Sequence, residues 1–159
     1  MQIWLLRHAH AQDCASSGRD EDRRLTAEGR ADCHALQTWF RNYQAPLPGK
    51  VLVSPARRAV ETAQTALERL DLPAFDQEAA LWNATAGDLV EPIQQSGDRP
   101  TPLLPVGHNP GLEDLVRWLC SSVPLPGMKP GTLAIVEIDP PLRPSGGRLA
   151  HFVQPRDSI

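Results

Sequence analysis

The chain opens on an apolar run, Ile3-Trp4-Leu5-Leu6, which stops abruptly at Arg7-His8-Ala9-His10. A strand buried on both faces reads as an unbroken apolar run, so Ile3 to Leu6 is predicted as a central strand. Ala9 to Arg24 is polar and predicted as a loop. Thr26 then precedes an amphipathic stretch from Ala27 to Asn42. Leu36, Trp39 and Phe40 recur there at helical spacing and Glu28 sits in the first turn, which predicts a helix with Thr26 as its N-cap. Pro46, Pro48 and Gly49 make a turn before a short strand, Val51 to Val53. Ser54-Pro55 is predicted to cap the next helix, which runs to about Leu70, with proline where its missing N–H is harmless.

The second half continues the alternation. Pro73 to Phe75 is predicted as a third strand, followed by a loop, Gln77 to Trp82, and a weaker helix near Gly87 to Gln95. Pro102 to Val106 is a fourth strand ended by Gly107, and Gly111 to Cys120 a helix with Leu112, Leu115, Val116 and Leu119 inward. The prolines between Pro124 and Pro130 mark a long surface loop. Leu133 to Ile138 and Arg148 to Val153 close the chain as two strands joined through the Pro140 to Gly147 turn region. Strands alternating with helices predict an α/β fold. It is expected to be a three-layer sandwich, with a mostly parallel central sheet, helices on both faces and an antiparallel hairpin at one edge.

Composition narrows the partners. The 159 residues fit one domain with a real core, and no repeat or low-complexity tract divides them. The formal net charge is −3 and no basic tract stands out, which argues against nucleic acid. No stretch approaches a membrane span, and the opening run is too short, without basic leader or cleavage site, for a signal peptide. Cys14, Cys33 and Cys120 are odd in number and widely spaced, against a disulfide framework or zinc knuckle and in keeping with a reducing cytoplasm. The expectation is a cytoplasmic protein without a membrane partner.

Three strand ends carry the chemistry. His8 follows the first strand, Arg58 the second and His108 the fourth, and parallel strands bring such positions to one edge. Arg58 also falls in the first turn of its helix, where free N–H groups and the dipole favour an anion. Arg7, Arg58, His8 and His108 therefore make a pocket for a phosphoryl group, whose oxygens guanidinium forks match bidentately.

Arg7-His8, Ser54-Pro55-x-x-Arg58-Ala59-x-x-Thr62-Ala63 and Gly107-His108-Asn109-Pro110, with Leu25-Thr26-x-x-Gly29, resemble the histidine phosphatase superfamily, whose members include phosphoglycerate mutases. Short length, no cap insertion and Val106 to Pro110 make the chain most similar to SixA-type phosphohistidine phosphatases. The resemblance implies a phosphoglycerate mutase-like fold and one histidine phosphatase domain over residues 1–159, without cofactor or metal. It implies His8 as a transiently phosphorylated nucleophile, Arg7, Arg58 and His108 as phosphate-binding groups, and Glu78 as the candidate proton donor. The implied substrate is a phosphorylated protein histidine or a small phosphate ester. Attack needs an unprotonated nitrogen on His8, so its other ring nitrogen is expected to donate to a backbone carbonyl. His108 is expected to serve best when protonated. The family's usual glycine after Arg-His is Ala9 here, and its general acid has no clear counterpart. A weak acid suits phosphohistidine, because imidazole leaves more easily than an alkoxide.

Two rival readings use the same residues. His8-x-His10, with Asp13 and Cys14 nearby, has the spacing of a metal-dependent hydrolase, although no further ligand cluster follows and the chain is short for a barrel. A non-catalytic binder of phosphate or phosphohistidine is the other, although a pure binder needs no nucleophile. Arg19, Arg23 and Arg24, interleaved with Asp20, Glu21 and Asp22, read as a solvated loop, with substrate contact as the alternative. His34 and His151 are expected to be structural and without partners.

Overall fold

A computed structural model describes residues 1–96, 102–121 and 124–155. Among the described residues there are six strands: β1 (Gln2–Arg7), β2 (Lys50–Val53), β3 (Asp76–Gln77), β4 (Leu103–Gly107), β5 (Leu133–Ile138) and β6 (Gly147–Val153). They form one sheet in the order β3-β2-β4-β1-β5-β6. The pairs β3–β2, β2–β4 and β4–β1 are parallel, whereas β5 runs antiparallel to β1 and β6 antiparallel to β5. The sheet is thus mixed: a parallel half carries the strand ends of interest, and a hairpin closes the other edge.

Side-chain alternation splits the core into two layers. Ile3 and Leu5 of β1, with Leu52 and Leu103, face α3 (Ala86–Ser96) and α4 (Gly111–Leu119). Trp4, Leu6, Val51, Val53, Leu104 and Val106 face α1 (Ala27–Asn42) and α2 (Arg57–Ala66). Trp4 anchors the second layer: its ring stacks on Phe40 at 5.7 Å and meets Tyr43 edge-on at 5.0 Å. Fully burying one such side chain contributes roughly 1.5–3 kcal/mol. His151 joins this cluster, packing edge-on against Trp39 and Tyr43, so it has partners after all.

Helix α1 starts where its cap predicts, with Thr26 Oγ1 accepting from the Gly29 N–H. Helix α3 begins with a reciprocal box: Thr85 N–H donates to the Asp88 carboxylate and Asp88 N–H to Thr85 Oγ1.

Three expectations are corrected. The N-cap of α2 is Ala56, with no side-chain cap bond, and not Ser54-Pro55. That helix ends at Ala66, well short of Leu70, and Arg69 beyond it takes a φ of 59°. The third strand is Asp76–Gln77 and not Pro73 to Phe75, because Asp76 and Gln77 are the residues that pair with Leu52 and Val53. Pro73 lacks the N–H a ladder needs, and Phe75 packs against the α1–α2 layer instead. Among the described residues, no helix is long and apolar enough to cross a membrane.

Candidate active site

Sheet register brings the site together. Arg7 pairs with Gly107, and Val53 with Val106, so the parallel strands end level with one another. His8 N–H bonds to Gly107 O at 3.0 Å, and Ser54 N–H to Val106 O at 3.0 Å. The first residues beyond β1, β2 and β4 are therefore His8, Ser54 and His108, and all three are buried.

The His8 ring is held from both sides. Its Nδ1 lies 2.8 Å from Ala9 O, a carbonyl that can only accept, so Nδ1 carries the proton. The Nε2 lone pair accepts from Arg58 Nε–H at 3.3 Å. Burial pushes the pKa of His8 down to about 3, with the charges of His108, Arg58 and Arg7 adding to the fall and the Ala9 bond opposing it. An unprotonated Nε2 is the state a nucleophile needs. The Ala9 N–H bonds to Thr62 Oγ1 at 3.0 Å, and Thr62 in turn donates to Arg58 O. Ala9 does not take a positive φ, so alanine serves where the family's glycine is usual.

Arg58 is buried in the first turn of α2, whereas its neighbour Arg57 is exposed and paired with Glu61. The Arg58 guanidinium donates to Asp20 O at 2.9 Å and to the Asp20 carboxylate at 3.1 Å, and lies 5.3 Å from the Trp82 ring centroid. The loop is solvated at Arg19 and Arg24 as expected, but a 3-10 turn at Asp20–Asp22 lays the Asp20 carboxylate on the buried arginine.

Arg7 is half-buried and donates to Met128 O at 2.6 Å, while its Nε has no partner among the described residues. Glu113 supports that turn, accepting from Met128 N–H at 2.8 Å and Asn109 Nδ2 at 3.0 Å.

The His108 ring stands 5.1 Å from His8 and meets Trp82 edge-on at 5.3 Å. Its Nε2 lies 2.7 Å from Ser54 Oγ, and its Nδ1 is buried without a partner among the described residues. Burial pushes its pKa down to about 4, with Arg58, Arg7 and Arg23 lowering it further and Asp20 opposing. His108 is expected to serve best when protonated, a form that burial disfavours in the free site.

Glu78 lies at the same sheet edge, its N–H bonded to Val53 O at 2.8 Å. Its carboxylate accepts from Ala80 N–H at 3.0 Å, capping the 3-10 turn Ala79–Leu81, and makes no hydrogen bond to His8, Arg58 or His108. The His10 ring meets Thr26, its Nδ1 2.8 Å from Oγ1. Among the described residues, no three His, Cys, Asp or Glu side chains gather as metal ligands.

Residues 3–96 match the family model of the histidine phosphatase superfamily, branch 1. The chain belongs to that superfamily. An uncharacterized protein of Mycobacterium tuberculosis is 35% identical over 113 residues, 70% of this chain and 69% of its own. The protein histidine phosphatase SixA, solved with tungstate, is 25% identical with a TM-score of 0.84 over 99% of each chain. A mycobacterial glucosyl-3-phosphoglycerate phosphatase shares the fold at a TM-score of 0.66 and 19% identity, over 94% of this chain and 96% of its own. The fold is the phosphoglycerate mutase-like fold of these histidine phosphatases.

Sequence reasoning passed over Ser54, Asp20 and Trp82 as parts of the site. Ser54 carried the same signal as His8 and His108, the first position beyond a parallel strand, but was read as a cap. Asp20 and Trp82 approach through loop geometry, which leaves no periodic mark.

Proposed function

We propose that the protein is a phosphatase of one histidine phosphatase domain, acting in the cytoplasm on protein phosphohistidine by way of a phosphorylated His8. The observation that carries the reading is the His8 ring: Nδ1–H is committed to Ala9 O, and a deprotonated Nε2 lies against Arg58. SixA binds tungstate, a tetrahedral oxyanion like phosphate, which supports an oxyanion site on this fold. The unpaired cysteines support the compartment.

In this mechanism Nε2 attacks phosphorus and the bond to the leaving group breaks, its electron pair departing with that group. Arg7, Arg58 and His108 hold the equatorial oxygens as charge redistributes. Water then attacks the phosphohistidine and releases inorganic phosphate, returning His8 to its neutral state. A clear counterpart of the family's general acid is lacking, and the Glu78 carboxylate is engaged by the Ala80 N–H. That favours a phosphoramidate, whose imidazole departs more readily than an alkoxide, over a small phosphate ester.

The test is a parallel assay of a phosphohistidine protein and a panel of small phosphate esters, with chelator present. The phosphohistidine protein is expected to turn over fastest and chelator to change nothing. Quenching during turnover should trap an acid-labile, base-stable phosphoryl label on His8, and His8→Ala should abolish label and turnover while retaining the fold. A label on another residue, or none, overturns the mechanism. Binding without turnover favours the binder, and loss of activity to chelator favours the metal-dependent hydrolase.

A further inference from the structure

Ser54 is fully buried at the first position beyond β2, and its backbone N–H is fixed by Val106 O. Its Oγ accepts from the Ala56 N–H at 3.4 Å and lies 2.7 Å from His108 Nε2. A hydroxyl offers one proton and two lone pairs. One lone pair faces Ala56, and among the described residues His108 Nε2 is the other hydrogen-bond partner of Oγ and so the acceptor open to its proton. A neutral imidazole that accepts at Nε2 carries its own proton on Nδ1. Nδ1 is the His108 nitrogen left buried with no partner among the described residues.

We propose that Ser54 is a positioning residue that holds His108 as its Nδ1–H tautomer, so that an uncharged imidazole presents a donor to the phosphoryl group. The inference rests on the phosphatase reading above and names a part of its phosphate pocket. It answers the difficulty raised by burial, which keeps His108 neutral near pH 7 (a pKa of about 4) in a site already crowded with two guanidinium groups. A second positive imidazole is not needed, because the tautomer supplies the N–H. The opposite tautomer leaves a lone pair at Nδ1, which cannot donate to an anionic oxygen. A buried donor without a partner is costly, and a phosphoryl oxygen is the acceptor that removes the cost.

The test reads the tautomer directly. Heteronuclear NMR of the imidazole nitrogens in the full chain, with and without inorganic phosphate, is expected to show His108 protonated at Nδ1 and not at Nε2. Ser54→Ala should release the ring towards Nε2–H and weaken phosphate inhibition about tenfold, as loss of one hydrogen bond to a charged group does. Ser54→Thr, which keeps the hydroxyl, should keep the tautomer and the inhibition. An Nε2–H signal in the unsubstituted protein overturns the assignment without any variant having to fold. So does a folded Ser54→Ala that retains both the Nδ1–H signal and the phosphate affinity. Failure of the proposed function looks different: the Nδ1–H tautomer and phosphate binding persist, but no substrate turns over.

Discussion

Arg57 and Arg58 are adjacent in sequence and opposite in environment. Successive helix residues point about 100° apart, so one arginine can face a phosphate while its neighbour cannot. Arg58 is buried against His8 and Asp20, and Arg57 lies outside in an ion pair with Glu61. Removing a preorganised donor to transition-state charge costs about two to three orders of magnitude in rate. Arg58→Ala is expected to lose that much in kcat, and Arg57→Ala less than about threefold, since an exposed pair contributes roughly 0–1 kcal/mol. Steady-state rates on the phosphohistidine protein check this, and equal losses for the two variants would mean that the wrong arginine has been placed in the pocket. The same contrast explains why residue types alone left Asp20 unassigned. A carboxylate in an acidic, arginine-rich loop looks like a solvated charge until the loop is seen folded onto Arg58.

At the scale of elements, legibility follows local signals. Helix α1 has a capping side chain and a clear apolar stripe, and it runs from Ala27 to Asn42 as predicted. Strand β5 has an unbroken apolar run and also matches, from Leu133 to Ile138. The start of α2 was misread because a serine before proline usually caps, whereas here Ser54 Oγ is drawn to His108 across the sheet. Strand β3 was misplaced because two edge residues, both exposed, carry no periodic pattern. Helix α1 also steers the site through one glycine. A Cβ at Gly29 would lie 2.1 Å from the backbone oxygen of His10, so the helix meets the chain just past His8 with no room for a side chain. Gly29→Ala should therefore push the His10 backbone away and cost about 1–3 kcal/mol, as overpacking typically does. Chemical denaturation measures the loss. Because His10 O also accepts from Thr26 N–H, activity should fall more than the lost stability alone accounts for. A variant with unchanged stability and rate would show that this approach is not tight.

For the whole molecule, the two buried histidines link folding to pH. Burial holds His8 at about 3 and His108 at about 4, whereas an unfolded histidine titrates near 6.5. Both folded values are depressed, so above about pH 6.5 the rings are neutral in either state and no stability is at stake. As pH falls below that, the unfolded chain takes up protons that the folded chain refuses, and stability declines until the folded values are reached. Each histidine adds a slope of about 1.4 kcal/mol per pH unit within its window. Glu61 and Glu113 act lower down. Their pKa values are held below the ordinary carboxylate value by hydrogen bonds to Leu25 N–H, Arg24 and Arg57, and to Arg117 and Met128 N–H respectively. Their contribution is therefore kept above about pH 4.5 and lost only beneath it. Between about pH 6 and 5 the histidines should dominate. Denaturant midpoints across that interval are expected to fall steadily, and a His8→Gln, His108→Gln double variant should flatten the decline. A midpoint indifferent to pH over this range would mean that the two rings are protonated in the folded protein. His8 would then spend part of its time unable to attack phosphorus, and the nucleophile assignment would weaken with it.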